Sequence, residues 1–197
     1  MVDGAAPRAL HHIFAALRER RRAIALVGGL AVSVRAEPRF TRDVDVAVAV
    51  VDDADAELLT RDLAAAGYRP IATVEHEARK RLSIVRLLSP ENVAVDLLFA
   101  SSGIESEIVG RATEIELPSV GTVRVACPED LLAMKVLSMT ETRLQDRIDA
   151  QKLVEFVAGL DLALVRQALA LITARGFHRD QDLESKLASV LREVASA

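Results

Sequence analysis

Two aspartates one residue apart, Asp43 and Asp45, follow closely on a glycine pair, Gly28-Gly29, and these four positions are the chain's clearest means of doing chemistry. In an extended strand successive side chains alternate faces, so Asp43 and Asp45 project together while Val44 turns toward the core. Two carboxylates on one face attract Mg2+, which prefers hard oxygen donors, keeps several waters and shares its shell with substrate phosphates. A glycine turn lets backbone N–H groups approach a phosphate closely. The combination suits a metal-bound nucleoside triphosphate and phosphoryl transfer.

Four further charged residues sit where the pattern calls for apolar ones. Asp96 interrupts the run Val93-Ala94-Val95-Asp96-Leu97-Leu98-Phe99, a placement that is costly unless the carboxylate is paired or binds a metal. It is the natural third carboxylate, beside the attacking oxygen. On a helical wheel Lys135 falls between Leu131 and Leu132, near Met139, inside an apolar stripe. Asp146 and Asp149 share a sector with Leu153, Phe156 and Val157, so they too should face inward. A lysine reaching a triphosphate, with the aspartates positioning the acceptor or an arginine such as Arg143 or Arg147, accounts for Lys135, Asp146 and Asp149 together. The alternative is that Lys135 snorkels and the aspartates pair with neighbouring arginines.

The elements that must position these residues follow from periodicity and punctuation. Residues 7–22 read as an amphipathic helix, 23–27 as a buried strand, 30–36 as a short helix, 40–51 as a strand and 53–66 as a helix closed by Gly67. Strands at 81–88 and 92–100 flank the break Ser89-Pro90-Glu91, and a second strand pair spans 113–117 and 121–125. From Pro128 the period becomes helical, with helices at about 128–139, 141–158, 161–175 and 181–195. The expected fold class is α/β, of α+β type: a mixed sheet with flanking helices in residues 1–126, followed by an all-helical lobe in 127–197.

Bulk properties bound the function. The 197 residues, 51% hydrophobic and 27% charged, can bury a core, and no apolar run is long enough to span a bilayer. The absence of a secretory signal in residues 1–22 and a single cysteine, Cys127, favour a cytoplasmic location without disulfides and no membrane partner. Cys127 is expected to be inert. The net charge of −4 argues against a surface that grips nucleic acid everywhere, and the scarcity of aromatics limits base stacking. Basic residues are uneven, with Arg18, Arg20, Arg21, Arg22, Arg35, Arg39 and Arg42 clustered near the glycine-to-aspartate segment. Solvated helix ends and phosphate contacts are equally good explanations. His11, His12, His76 and His178 lack metal-ligand spacing, and no Walker A lysine or Rossmann fingerprint is present.

Taken in order, Val27-Gly28-Gly29, Asp43-Val44-Asp45, Asp96, Glu129 to Lys135 and Arg143 to Asp149 resemble the motifs of nucleotidyltransferases of the DNA polymerase beta superfamily, within it the AbiEii-like toxin branch. The resemblance runs from about residue 20 to residue 157. It implies transfer of a nucleoside monophosphate from an NTP to a hydroxyl with release of pyrophosphate. Asp43, Asp45 and Asp96 would hold Mg2+, and Gly28, Gly29 and Lys135 would bind the triphosphate with help from Arg42. Asp146 would match the acidic residue of the last motif. Two positions depart from the usual pattern: Gly-Ser is Gly28-Gly29 here, and Lys-Asp is Gln145-Asp146. The expected acceptor is RNA, such as the end of a transfer RNA, with an antitoxin protein as partner. Competing readings change the acceptor to a small molecule or a protein side chain, or keep only nucleotide binding.

Overall fold

The computed structural model describes residues 4–196. Met1 to Asp3 and Ala197, at the outer ends of the two expected units, lie outside the described residues. Seven strands form one mixed sheet: β1 (Ile24–Val27), β2 (Val44–Val48), β3 (Arg69–His76), β4 (Arg81–Leu88), β5 (Ala94–Leu98), β6 (Thr113–Leu117) and β7 (Gly121–Val125). Their spatial order is β3-β4-β5-β2-β1-β7-β6. β2 lies at the centre, antiparallel to β1 and parallel to β5, and the hairpin pairs β3–β4 and β6–β7 occupy the two edges. Alternation on β4 buries Ser83, Val85 and Leu87, whereas β1 is buried at every position, as a central strand covered on both faces must be.

Eight helices complete the fold: α1 (Ala5–Glu19), α2 (Gly28–Arg35), α3 (Asp53–Ala65), α4 (Glu105–Arg111), α5 (Pro128–Ser138), α6 (Leu144–Phe156), α7 (Leu162–Ala174) and α8 (Leu183–Ala195). Their starts carry local signals. Asp52, Asp161 and Asp182 accept backbone N–H bonds at the first turns of α3, α7 and α8, and Pro128 opens α5, where a missing N–H costs nothing. Apolar residues of α1, the sheet and α5 to α8 join in one buried cluster that includes Phe14, Leu26, Val46, Leu97, Leu132 and Leu187. Among the described residues no helix is long and apolar enough to cross a membrane.

Several expected boundaries move. The strand read over 40–51 is ordered only as β2, because Phe40 and Val51 are 78% and 87% exposed and have no core to alternate against. α2 begins at Gly28 itself, directly from β1. Two elements escape the periodicity reading. β3 is exposed along nearly its whole length, so it lacks the alternation that marks a half-buried strand, and α4 is too short to show a helical period. Phe156, placed on the inward face of α6, is instead 51% exposed near the helix end.

Candidate active site

The sheet register lines up Val27, Asp45, Asp96 and Arg86 across β1, β2, β5 and β4, so all four project from one face. Asp43 stands one residue before β2 and reaches the same place. The turn from β1 into α2 meets this row at Asp45. Gly28 has φ +65°, and a Cβ there would lie 1.9 Å from the Asp45 Oδ2, so both backbone geometry and space require glycine. The Gly29 N–H donates to the Asp45 carboxylate.

Asp45 carries the electrostatic strain of the site. Burial pushes its carboxyl up to about 6, and the neighbouring Asp96 and Asp43 add to the shift, while Lys135 and the Gly29 N–H oppose it only in part. Arg86 supplies the opposing charge on the other side. Its guanidinium donates two bonds of 2.7 Å to Asp96 and one of 3.3 Å to Asp43, and the Asp96 bonds drive its own pKa up. Among the described residues no group of three carboxylate, imidazole or thiol side chains is set to hold a metal ion, and Arg86 is the cation that lies between two of the aspartates. The donor chemistry nonetheless fits a divalent cation: hard carboxylate oxygens on one face, with a half-buried Asp45 that makes no ion pair among the described residues.

The second wall is an ion network between α5 and α6. Lys135 Nζ is 2.7 Å from both Asp146 Oδ1 and Asp149 Oδ2, and all three residues are buried. Arg39 adds a two-pronged contact to Asp149 at 2.7 and 2.8 Å, Gln145 donates to Asp149 at 2.9 Å, and Arg143 pairs with Asp146 at 2.7 Å. Burial alone would raise the Asp149 carboxyl, but Arg39, Lys135 and Gln145 outweigh it and hold the group below its usual range. The inward placement of Lys135, Asp146 and Asp149 was legible in the helical wheel. Their partners were legible only in part: Arg143, named from sequence, pairs with Asp146, whereas Arg39 comes from the distant segment before β2 and Arg147 pairs with Glu193 on α8 rather than with the site.

These two walls enclose a cleft with two arms that share Asp45, Asp96, Arg86, Lys135, Arg143 and Asp146. One arm, about 470 Å3, is polar and runs past Gly29, Arg39, Thr41 and Gln145. The other, about 430 Å3, has an aliphatic floor of Ala72, Val74, Ile84 and Leu98 and is bounded by Met134 and Arg179. A site with two arms meeting at carboxylates and a lysine can bring two substrates to one point. Arg42, named from sequence, stacks 5.8 Å from the Phe40 ring and does not line either arm. Four of the other clustered arginines are spent on structure: Arg18 on the Thr122 carbonyl, Arg20 on the carbonyls of Ala16 and Asp62, Arg22 on Asp55, and Arg35 on the carbonyls of Val125 and Ala126. Sequence reasoning missed Arg86 and Arg179. An arginine alternating with apolar residues on β4 reads as solvent-facing, and nothing local marks Arg179. Cys127 is the inert residue expected, its thiol pushed up to about 12 by burial and by Asp130.

A mixed sheet bearing aspartates on its central strands, a glycine turn beside them and a helical wall with an inward lysine define a nucleotidyltransferase. The chain belongs to the family described as nucleotidyl transferase AbiEii toxin, type IV toxin–antitoxin system, whose model matches residues 8–196. No curated protein sequence matches it. Among solved structures, ANT(2'')-Ia in complex with adenylyl-2''-tobramycin is similar in fold, with a TM-score of 0.54 at 14% identity, covering 87% of this chain and 99% of that one. The lincosamide antibiotic adenylyltransferase LnuA in its lincomycin-bound form gives a TM-score of 0.49 at 16% identity, covering 75% of this chain and 95% of that one.

Proposed function

We propose that this nucleotidyltransferase moves a nucleoside monophosphate from an Mg2+-bound NTP to a hydroxyl of RNA, such as a transfer RNA, and acts as the toxin of a toxin–antitoxin pair. The observation that carries the reading is the row of Asp45 and Asp96 facing Lys135 across a cleft with two arms. Asp43, Asp45 and Asp96 are the residues to hold Mg2+, which when bound would draw charge from the attacking and leaving oxygens. For Asp96 to serve, the Arg86 guanidinium must release it.

Gly28 and the start of α2 face the phosphates with backbone, and Lys135, positioned by Asp146 and Asp149, supplies a fixed positive charge to the triphosphate. In-line displacement places the acceptor opposite the departing pyrophosphate, hence on the Asp96 side, over β5, β4 and β3. That arm favours an anionic acceptor. Arg86, Arg143 and Arg179 would repel a polycationic small molecule but suit an RNA strand. The protein's part is positioning and electrostatics, with no covalent intermediate on a side chain. An antitoxin protein is the partner that would restrain this activity, and a cytoplasmic site of action follows from the RNA acceptor.

The test is incubation of the full chain with each labelled NTP, Mg2+ and total transfer RNA, alongside Asp45→Ala. Label should enter RNA with the wild-type protein and fall by about 1,000-fold or more with the variant, while circular dichroism shows the fold unchanged. Label in RNA at wild-type level from Asp45→Ala would overturn the site assignment. Label in the protein itself would move the acceptor to a protein side chain.

A further inference from the structure

Arg179 lines the cleft but has no part in the transfer step proposed above. It sits in the α7–α8 connection, where Arg179 and Asp180 are consecutive non-glycine residues with φ +55°. Left-handed backbone is unfavourable for each such residue, and a strained pair persists only where the surrounding structure holds it. Its effect is to bring the Arg179 side chain onto the wall of the aliphatic arm. There Nη2 donates to the Ser101 carbonyl at 3.2 Å, and among the described residues no carboxylate lies within ion-pair distance of it.

The surroundings discourage a second cation. Burial lowers the Arg179 pKa and the Arg143 guanidinium lowers it further, while Glu105 and Asp146 compensate only at a distance. Both carboxylates are committed elsewhere. Glu105 Oε1 accepts from Ser101 N, Ser102 N and Ser102 Oγ, and Asp146 holds Lys135 and Arg143. Lys186 adds another positive charge nearby, its amine bonded to the Met139 carbonyl. Two guanidinium groups that repel each other on the wall of one cleft are stabilised when an anion enters between them.

We infer that Arg179, together with Arg143, forms a phosphate subsite for the acceptor strand, binding a backbone phosphodiester away from the reacting hydroxyl. This rests on the RNA reading above. The position supports the acceptor rather than the NTP. Ser101, which anchors Arg179, follows Asp96 along β5 and the turn beyond it, within a reach of about 18 Å, whereas the glycine turn and Lys135 mark the other substrate. The same arm is lined by Val74, Ile84 and Leu98, aliphatic surface on which a base or ribose can rest without an aromatic platform.

Asparagine tolerates left-handed backbone and carries no charge, so Arg179→Asn removes the guanidinium without adding strain. Total transfer RNA is titrated against the full chain without nucleotide, over a range of salt, and transfer kinetics are measured with the labelled NTP that the wild type uses best. The variant should bind RNA about tenfold more weakly, with a salt slope smaller by about 0.7. Its KM for RNA should rise in step, with KM for NTP and kcat within about twofold, and Arg179→Lys should recover part of the loss. The melting temperature should equal or exceed that of the wild type. Unchanged RNA affinity and salt slope, or a rise in KM for NTP instead, would overturn the subsite while leaving RNA transfer intact. Failure of the wild type itself to bind or label RNA would remove the RNA reading and this subsite with it.

Discussion

At the scale of single residues, Asp45 shows how a functional carboxylate works against stability. Its ordinary pKa is near 3.8, and burial beside Asp96 and Asp43 raises it to about 6 in the folded chain. The folded state therefore holds a proton more tightly than the unfolded one, and the associated stability, present below about pH 4, is lost as pH rises through 6. In the absence of metal, Asp45→Asn should raise stability by about 1–3 kcal/mol at pH 7.5, with the gain shrinking toward zero at pH 4. Urea unfolding in EDTA at the two pH values checks this. A variant less stable than wild type at pH 7.5 would mean that Asp45 has a cationic partner in the folded protein. The same substitution should end turnover, which is the trade expected where like charges are gathered to receive a cation.

At the scale of elements, the second glycine of the turn abuts a contact that links the segment between α2 and β2 to α6. A Cβ at Gly29 would come within 2.4 Å of the Arg39 Nη2 and 3.1 Å of the Thr41 Oγ1. The Arg39 tip is not free to move aside, since Asp149 on α6 holds it at 2.7 and 2.8 Å. This gives a physical reason for Gly28-Gly29 where related motifs carry Gly-Ser: the space of the hydroxyl-bearing side chain is taken by the Arg39 guanidinium. Gly29→Ser should therefore displace Arg39 and cost about 1–2 kcal/mol, read as a lower urea midpoint with an unchanged slope. A serine variant as stable as the wild type would show that the Arg39–Asp149 contact yields without loss.

At the scale of the whole molecule, the site exists only because two walls meet. The sheet supplies Asp45, Asp96 and Arg86, and α5 and α6 supply Lys135, Asp146 and Asp149, so a ligand bound between them stabilises both at once. An NTP with Mg2+ at one hundred times its Kd should add about 2.7 kcal/mol, or roughly 5–10 °C in melting temperature for a chain of this size. Calorimetry should show one transition moving as a whole. Two transitions, only one of them responding, would mean that the walls unfold independently and do not share a ligand.

Much was legible in the residues alone because it depends on local rules. Alternation and glycine punctuation gave β1, the turn and the placement of Asp43 and Asp45 near the start of β2, and helical periodicity turned Lys135, Asp146 and Asp149 inward before any contact was known. Pro128 located the start of α5, and helical periodicity placed those of α7 and α8 at about 161 and 181, close to the observed Leu162 and Leu183. The order of the motifs along the chain was enough to suggest the nucleotidyltransferase class. Tertiary structure alone decided which charges meet. Arg86 reaches Asp96 across a strand pairing, Arg39 reaches Asp149 from 110 positions away, and Arg179 enters the cleft from a loop between the last two helices. Those contacts join segments far apart in sequence, and a local pattern carries no record of a partner that only the folded chain brings within a few ångströms.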